Sequence, residues 1–221
     1  MSSELETYKQ DPLFGEKSMS TNGESIKIGM NAGEVVSKIF DFYRINQFSY
    51  TEYDPESTYP MNVDQVLSWD TWAGLNYLEK LSEQVVDTTI QTFYFEGEKI
   101  NMHNILAIGS KIKIGKDIKQ IPMLDFDFSE IETNTDMMKE LELPRGVILR
   151  TDRSYHYYGL NLIDEPNWEK WIKKLLLSKN TENLFGMEYL KLCLKRGYSA
   201  LRIFGYEGTS KAIAPVVVAK I

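Results

Sequence analysis

Residues 121–128 read Ile-Pro-Met-Leu-Asp-Phe-Asp-Phe, an apolar run that ends in two acids spaced two apart. Successive side chains along a strand point to opposite faces. Asp125 and Asp127 therefore share one face, and Phe126 and Phe128 alternate with them on the other. Two carboxylates side by side repel unless a cation stands between them. A pair of hard oxygen ligands suits Mg²⁺ or Mn²⁺, ions that complete their shell with water and substrate phosphate. That is the donor set of metal-assisted phosphoryl or nucleotidyl transfer. The competing account is a strand end whose acids simply face water. The apolar residues before them and the interleaved phenylalanines argue against a fully solvated end.

A second pattern lies downstream in Arg153-Ser154-Tyr155-His156. Ser154 and His156 are again two apart on a segment that reads as a strand, and Arg153 sits in the turn before them. A hydroxyl, an imidazole and a guanidinium close together can hold a triphosphate by directed, charge-assisted hydrogen bonds. Taken alone, His156 reads better as a strand histidine satisfied by a neighbour. Tyr155 and Tyr157 face away from it and are expected to pack against helices.

The charge distribution agrees with a phosphate site in the second part of the chain. The formal net charge of −7 argues against a simple nucleic-acid coat. Residues 1–100 hold 17 acids and 7 bases, however, while residues 101–221 hold 15 acids and 18 bases. The lone cysteine, Cys193, and two histidines, His103 and His156, leave no material for a disulfide framework or a zinc site. No apolar run is long enough to span a bilayer. The first residues lack the basic start and apolar stretch of a signal peptide. A soluble, cytoplasmic protein is expected.

Residues 1–30 are polar and are expected to pack loosely. Asn31-Ala-Gly-Glu opens a helix with Val35, Val36, Ile39, Phe40 and Tyr43 on its inner face. A second amphipathic helix is expected from Asp64, with Val66, Leu67, Trp69 or Trp72, Leu75, Leu78 and Leu81 buried. Thr88–Phe95 reads as a strand, and Asn104–Ile114 as a hairpin or two short strands turning at Gly109-Ser110. Beyond the acid pair, a helix at 135–143, strands at 146–150 and 154–163, helices at 167–178 and 187–196 and strands at 199–204 and 213–221 give the order β-α-β-β-α-α-β-β. A split β-α-β-β-α-β unit, the ferredoxin-like arrangement, lies within it.

Together these motifs resemble the archaeo-eukaryotic primase superfamily, the catalytic domains of primases and primase-polymerases. Leu124-Asp125-Phe126-Asp127 resembles the family's first motif, and Thr151-Asp152-Arg153-Ser154-Tyr155-His156 its second. The resemblance implies an α+β fold, a helical and stranded N-terminal module followed by an RRM-like (ferredoxin-like) catalytic module. Here these would be residues 31–100 and 101–221 of one domain. It implies a metal-dependent nucleotidyltransferase acting in DNA replication or repair, with Asp125, Asp127 and His156 catalytic. Arg153, Ser154, His156, Arg202 and Lys211 would bind the nucleotide. Nucleoside triphosphates, single-stranded or primed nucleic acid, and a separately encoded helicase or other protein are the implied partners. Mg²⁺ or Mn²⁺ is the implied cofactor; zinc is not expected from one cysteine, nor a membrane from the apolar runs.

One departure stands out. The family's third motif is an acid closing a later apolar strand, and the strand Ser199–Phe204 ends in Phe204. Glu207 is the nearest carboxylate, so the metal set is Asp125, Asp127 and Glu207, or only the first two. A chain with a damaged third motif could bind nucleotide or nucleic acid without turnover, or serve as an interaction protein. Arg202 and Lys211 also read as ordinary surface bases. Lys111, Lys113, Lys116 and Lys119 read equally as a nucleic-acid contact or as a charged edge that discourages strand aggregation.

Overall fold

The computed structural model describes residues 26–53, 71–74, 93–95, 98–100, 105–129, 141–179, 184–185, 187–203 and 213–221. Helix α1 (Ala32–Tyr43) begins at Asn31, whose side chain accepts from the Glu34 amide while the Glu34 carboxylate accepts from the Asn31 amide. This reciprocal capping satisfies two donors that the first turn cannot pair. The inner face holds Val35, Val36, Ile39, Phe40 and Tyr43, as the periodicity predicts. Then follow β1 (Gln47–Tyr53), β2 (Thr71–Gly74), β3 (Phe93–Phe95), β4 (Glu98–Ile100), β5 (Ile105–Ile114), β6 (Asp117–Gln120) and β7 (Met123–Phe126). The chain continues through β8 (Gly146–Arg150), β9 (Tyr155–Gly159), α2 (Glu165–Leu176), α3 (Met187–Arg196), β10 (Ala200–Arg202) and β11 (Val216–Lys220). The fold is α+β with antiparallel sheets, as expected.

The first sheet runs β10-β5-β1-β2, with β6 paired to β5; the second runs β11-β8-β9-β7; β3 and β4 pair with each other. The first sheet thus draws strands from both sides of residue 100. The second sheet separates two cores. One of its faces, with Met123, Val147, Leu149, Tyr158 and Val217, packs with α1 and the first sheet. The other, with Leu124, Phe126, Ile148, Tyr155 and Tyr157, packs on Trp168, Trp171, Ile172 and Leu175 of α2 and on Tyr189, Leu190 and Cys193 of α3. The alternation between adjacent residues is what lets one sheet serve both cores.

Several expectations need correction. Residues 71–74, expected in a helix, form β2 in register with Gln47–Tyr50 of β1. Pairing along β1 fills backbone donors and acceptors there, and it outweighs the helical spacing of the flanking apolar residues. The rest of that expected helix lies outside the described residues. Gly109-Ser110 is not a turn, because β5 continues through it, with an irregularity in its pairing to β1 at this point. A Cβ on Gly109 would lie 2.1 Å from Ser49 Oγ, so glycine serves close strand approach here. The hairpin turn falls at Gly115, at φ +61, between β5 and β6. Residues 1–25 and most of the expected helix 135–143 lie outside the described residues; Leu141 and Glu142 form a turn. The strand expected at 154–163 spans only β9, with Ile163 returning as an isolated bridge to Gln120. The strand joined to the β7-β8-β9 unit is β11, whereas β10 crosses to pair with β5.

A buried polar cluster holds this crossing together. Ser110 Oγ donates to Gln120 Oε1, and Gln120 Nε2 donates to the Gly197 carbonyl at 2.9 Å. Ser110 Oγ also accepts from the Ser199 amide at 2.9 Å. Ser110, Gln120 and Ser199 are fully buried, so each unmade bond would leave a desolvated polar group. Gln120→Leu is expected to cost about 2–4 kcal/mol, the penalty of orphaning the Ser110 hydroxyl and the Gly197 carbonyl. A urea-derived unfolding free energy within about 0.5 kcal/mol of wild type, with unchanged m, would count against this role.

The second core carries a pH dependence. Tyr157 donates from its hydroxyl to the Pro144 carbonyl at 2.6 Å, and burial holds its pKa well above the usual tyrosine value. The folded state therefore keeps a proton that the unfolded chain releases above about pH 10. Stability from this group is complete below pH 10 and falls as pH rises further, by up to about 1.4 kcal/mol per unit. In Tyr157→Phe that alkaline slope becomes shallower by about this amount; an unchanged slope in pH-dependent urea denaturation contradicts the assignment.

Candidate active site

The site is built on the face of the second sheet that looks toward the first. Strand β9 lies between β7 and β8, and its register puts His156 directly opposite Asp125 on β7 and Leu149 on β8. His156 Nε2 and Asp125 Oδ1 are 3.7 Å apart. The imidazole is 5% exposed and the carboxylate 45% exposed. One partner is thus sunk into the sheet and the other opens to solvent, so an incoming anion or cation meets the carboxylate edge first. Strand β10 of the first sheet packs against β7 and helps close this side.

Asp127 stands one residue past the end of β7 and is exposed. Its amide donates to the Leu184 carbonyl at 2.8 Å, which anchors its backbone to the segment leading into α3. The strand expected at 121–128 is therefore shorter, and Asp127 occupies its exit. Tyr189 on α3 lies within electrostatic reach of Asp125. Burial first, and the Asp125 carboxylate among the lesser causes, raise the pKa of this phenol well above normal. No motif pointed to Tyr189. Only the packing of α3 beside the edge strand reveals it.

The Arg153-Ser154 pair lies in the turn joining β8 to β9. Thr151 organises that turn: its amide donates to the Ser154 carbonyl at 2.9 Å, and its hydroxyl accepts from the Ser154 amide at 3.0 Å. Thr151 Oγ1 and Ser154 Oγ are 3.1 Å apart. Arg153 is exposed, and Ser154 is half-buried at the start of β9. Tyr155 and Tyr157 point into the helix-side core, as the alternation predicts.

Arg202 on β10 is buried, with its guanidinium donating to Asp152 and to the Ile213 carbonyl. Asp152 is a residue the motif reading passed over, although it sits between Thr151 and Arg153. Glu207, Lys211 and Phe204 lie outside the described residues. Lys111 and Lys113 flank the buried Ile112 on β5, and Lys111 Nζ is 3.2 Å from Glu165 Oε1 on α2.

Asp125 and Asp127 supply oxygen donors of the hard type that Mg²⁺ and Mn²⁺ take. Among the described residues, no cluster of three or more His, Cys, Asp or Glu is close enough to enclose a metal ion. Among the same residues no helix is long and apolar enough to cross a membrane.

Comparison with known proteins follows the same line. The family model described as archaeo-eukaryotic primase 1D-like matches residues 63–213, more than half of the chain. No curated protein and no solved structure matches it. The chain belongs to the archaeo-eukaryotic primase-like family, a family of primase-like nucleotidyltransferases.

Proposed function

We propose that this archaeo-eukaryotic primase-like chain is a metal-dependent nucleotidyltransferase that adds nucleotides to a primed or single-stranded template. The observation that carries the reading is the direct opposition of Asp125 and His156 on paired strands. The turn bearing Arg153 and Ser154 feeds into the same strand. Asp125 and Asp127 would hold the divalent ion, which when bound supplies charge compensation for the polyphosphate. His156, buried among strands, donates to a phosphate oxygen from a fixed position. Ser154 adds a hydroxyl donor, and exposed Arg153 adds a guanidinium fork suited to phosphate. The chain's own contribution is then positioning and preorganised charge, which is most of what phosphoryl and nucleotidyl transfer asks of a protein.

A second reading is a nucleotide- or nucleic-acid-binding member without turnover. It is favoured by Phe204 standing where the family places its third acid. Glu207, Lys211 and any separately encoded protein partner belong to the same question.

One set of measurements separates the two. With Mn²⁺ and a nucleoside triphosphate at about 100 times Kd, binding to the folded state alone adds about 2.7 kcal/mol. For a chain of this size that is roughly 5–10 °C in Tm. Asp125→Asn/Asp127→Asn is expected to abolish the Mn²⁺-dependent part of the shift, read against the Tm of the same variant without ligand. Template-dependent extension by wild type and none by Asp125→Ala/Asp127→Ala supports the enzyme. A Tm shift with no product supports the binding module. Absence of both results overturns the proposal in either form.

A further inference from the structure

Among the described residues, a largely buried charge pair links the two sheets. Arg202, on β10 of the first sheet, has a side chain 5% exposed. Its Nη2 donates to Asp152 Oδ2 at 2.8 Å and its Nη1 donates to the Ile213 carbonyl at 2.7 Å. Asp152, with a side chain 17% exposed, belongs to the turn between β8 and β9 of the second sheet. The two residues after it are Arg153 and Ser154. That turn is tied internally by Thr151, through its amide and hydroxyl to Ser154. The bond from Arg202 ties it externally.

A guanidinium in this setting is poorly placed to meet a phosphate. Its charge is offset by Asp152, and it reaches a ligand only by giving up that half-buried carboxylate, which would leave the carboxylate unpaired. Breaking such a pair is costly, whereas keeping it adds little net stability. What a pair of this kind supplies is geometry: a guanidinium fork fixes its acceptor in distance and plane.

We infer that Arg202 is a positioning residue that acts through Asp152, holding the Thr151–Ser154 turn of one sheet against β10 of the other and so setting where Ser154 and His156 stand. The part of this inference that concerns ligand binding rests on the proposed nucleotide site; the part that concerns the turn does not.

The test uses the full chain carrying Asp152→Asn, Arg202→Lys or both. Each substitution keeps the size of the side chain but weakens the paired geometry. In a His103→Gln background His156 is the only histidine, so its ring resonances report its position in the ligand-free protein. Both single variants are expected to shift those resonances and the amide signals of residues 151–154. They should weaken binding of a nucleoside triphosphate with Mn²⁺ by at least about threefold, and the double variant should be no weaker than the worse single one, because residues acting through one contact are not additive. In a Ser154→Ala background the effect of Asp152→Asn on affinity should shrink to the part carried by His156, whereas a general loss of stability would persist there in full.

Unmoved His156 resonances in both variants overturn the inference. So does an affinity that is unchanged or raised in Asp152→Asn while Arg202→Lys loses it, the pattern of a direct phosphate contact. If wild type binds no nucleotide, the proposed function fails, and the ligand-free spectra still decide the positioning role.

Discussion

Everything in this molecule depends on the register of β9 between β7 and β8. Strand side chains have a period of two, so a slip by one residue exchanges the faces. In the observed register Tyr155 and Tyr157 enter the core with Trp168 and Trp171, and His156 stands opposite Asp125. A slipped strand would drive the imidazole into the aromatic core and put tyrosines beside the carboxylates. The close pass of β8 over Tyr157 guards against this. A Cβ on Gly146 would lie 2.3 Å from the Tyr157 ring and 2.6 Å from the Tyr158 carbonyl oxygen. Glycine there lets the strands pair at full depth, and the buried bond from Tyr157 to Pro144 pins the ring.

The second sheet alone would be half a site. Its inner face needs the first sheet, and the connection is short: β6 ends at Gln120 and β7 begins at Met123. Gln120 binds at once to Ser110 on β5, to Gly197 after α3 and, through its backbone, to Ile163 before α2. One buried amide therefore orients both sheets and the two helices behind them. On the opposite side of β7, Arg202 reaches from β10 to the turn that carries Ser154. The proposed site, if assembled across the two sheets, would gain rigidity from both.

The shared faces that bring Asp125 and His156 opposite each other rest on local alternation, which is legible in residue order. Asp125 and His156 each lie within a short strand whose faces can be read two residues at a time. The helices α1 and α2 were legible for the same reason, with their spacing and caps written in neighbouring residues: Asn31 with Glu34, and Asp164 before Pro166. The acid expected after β10 was also a local matter, and Phe204 in its place is visible without any structure. Illegible were Gly109-Ser110, which looks like a turn until Ser49 of another strand is laid across it, and residues 71–74, whose strand exists only because β1 is there to pair with. Asp152 and Tyr189 were missed because their importance comes from partners 50 and 64 positions away, Arg202 and Asp125.

The amino-acid order by itself determined the two strand motifs, the separation of acidic residues 1–100 from the net-basic remainder, the helix caps and the alternation that makes a two-faced sheet. Those properties depend on neighbours one to four residues apart, and chain stereochemistry enforces them wherever the segment ends up. Only the tertiary structure decided that Asp125 and His156 stand opposite each other on adjacent strands, that β10 crosses to the other sheet while β11 takes the edge beside β8, and that a buried arginine spans the gap between sheets. Those outcomes are settled by which backbone edges find partners and which polar groups must be paired once water is excluded. They depend on contacts between distant segments, and no local pattern encodes a contact that exists only after the chain has closed on itself.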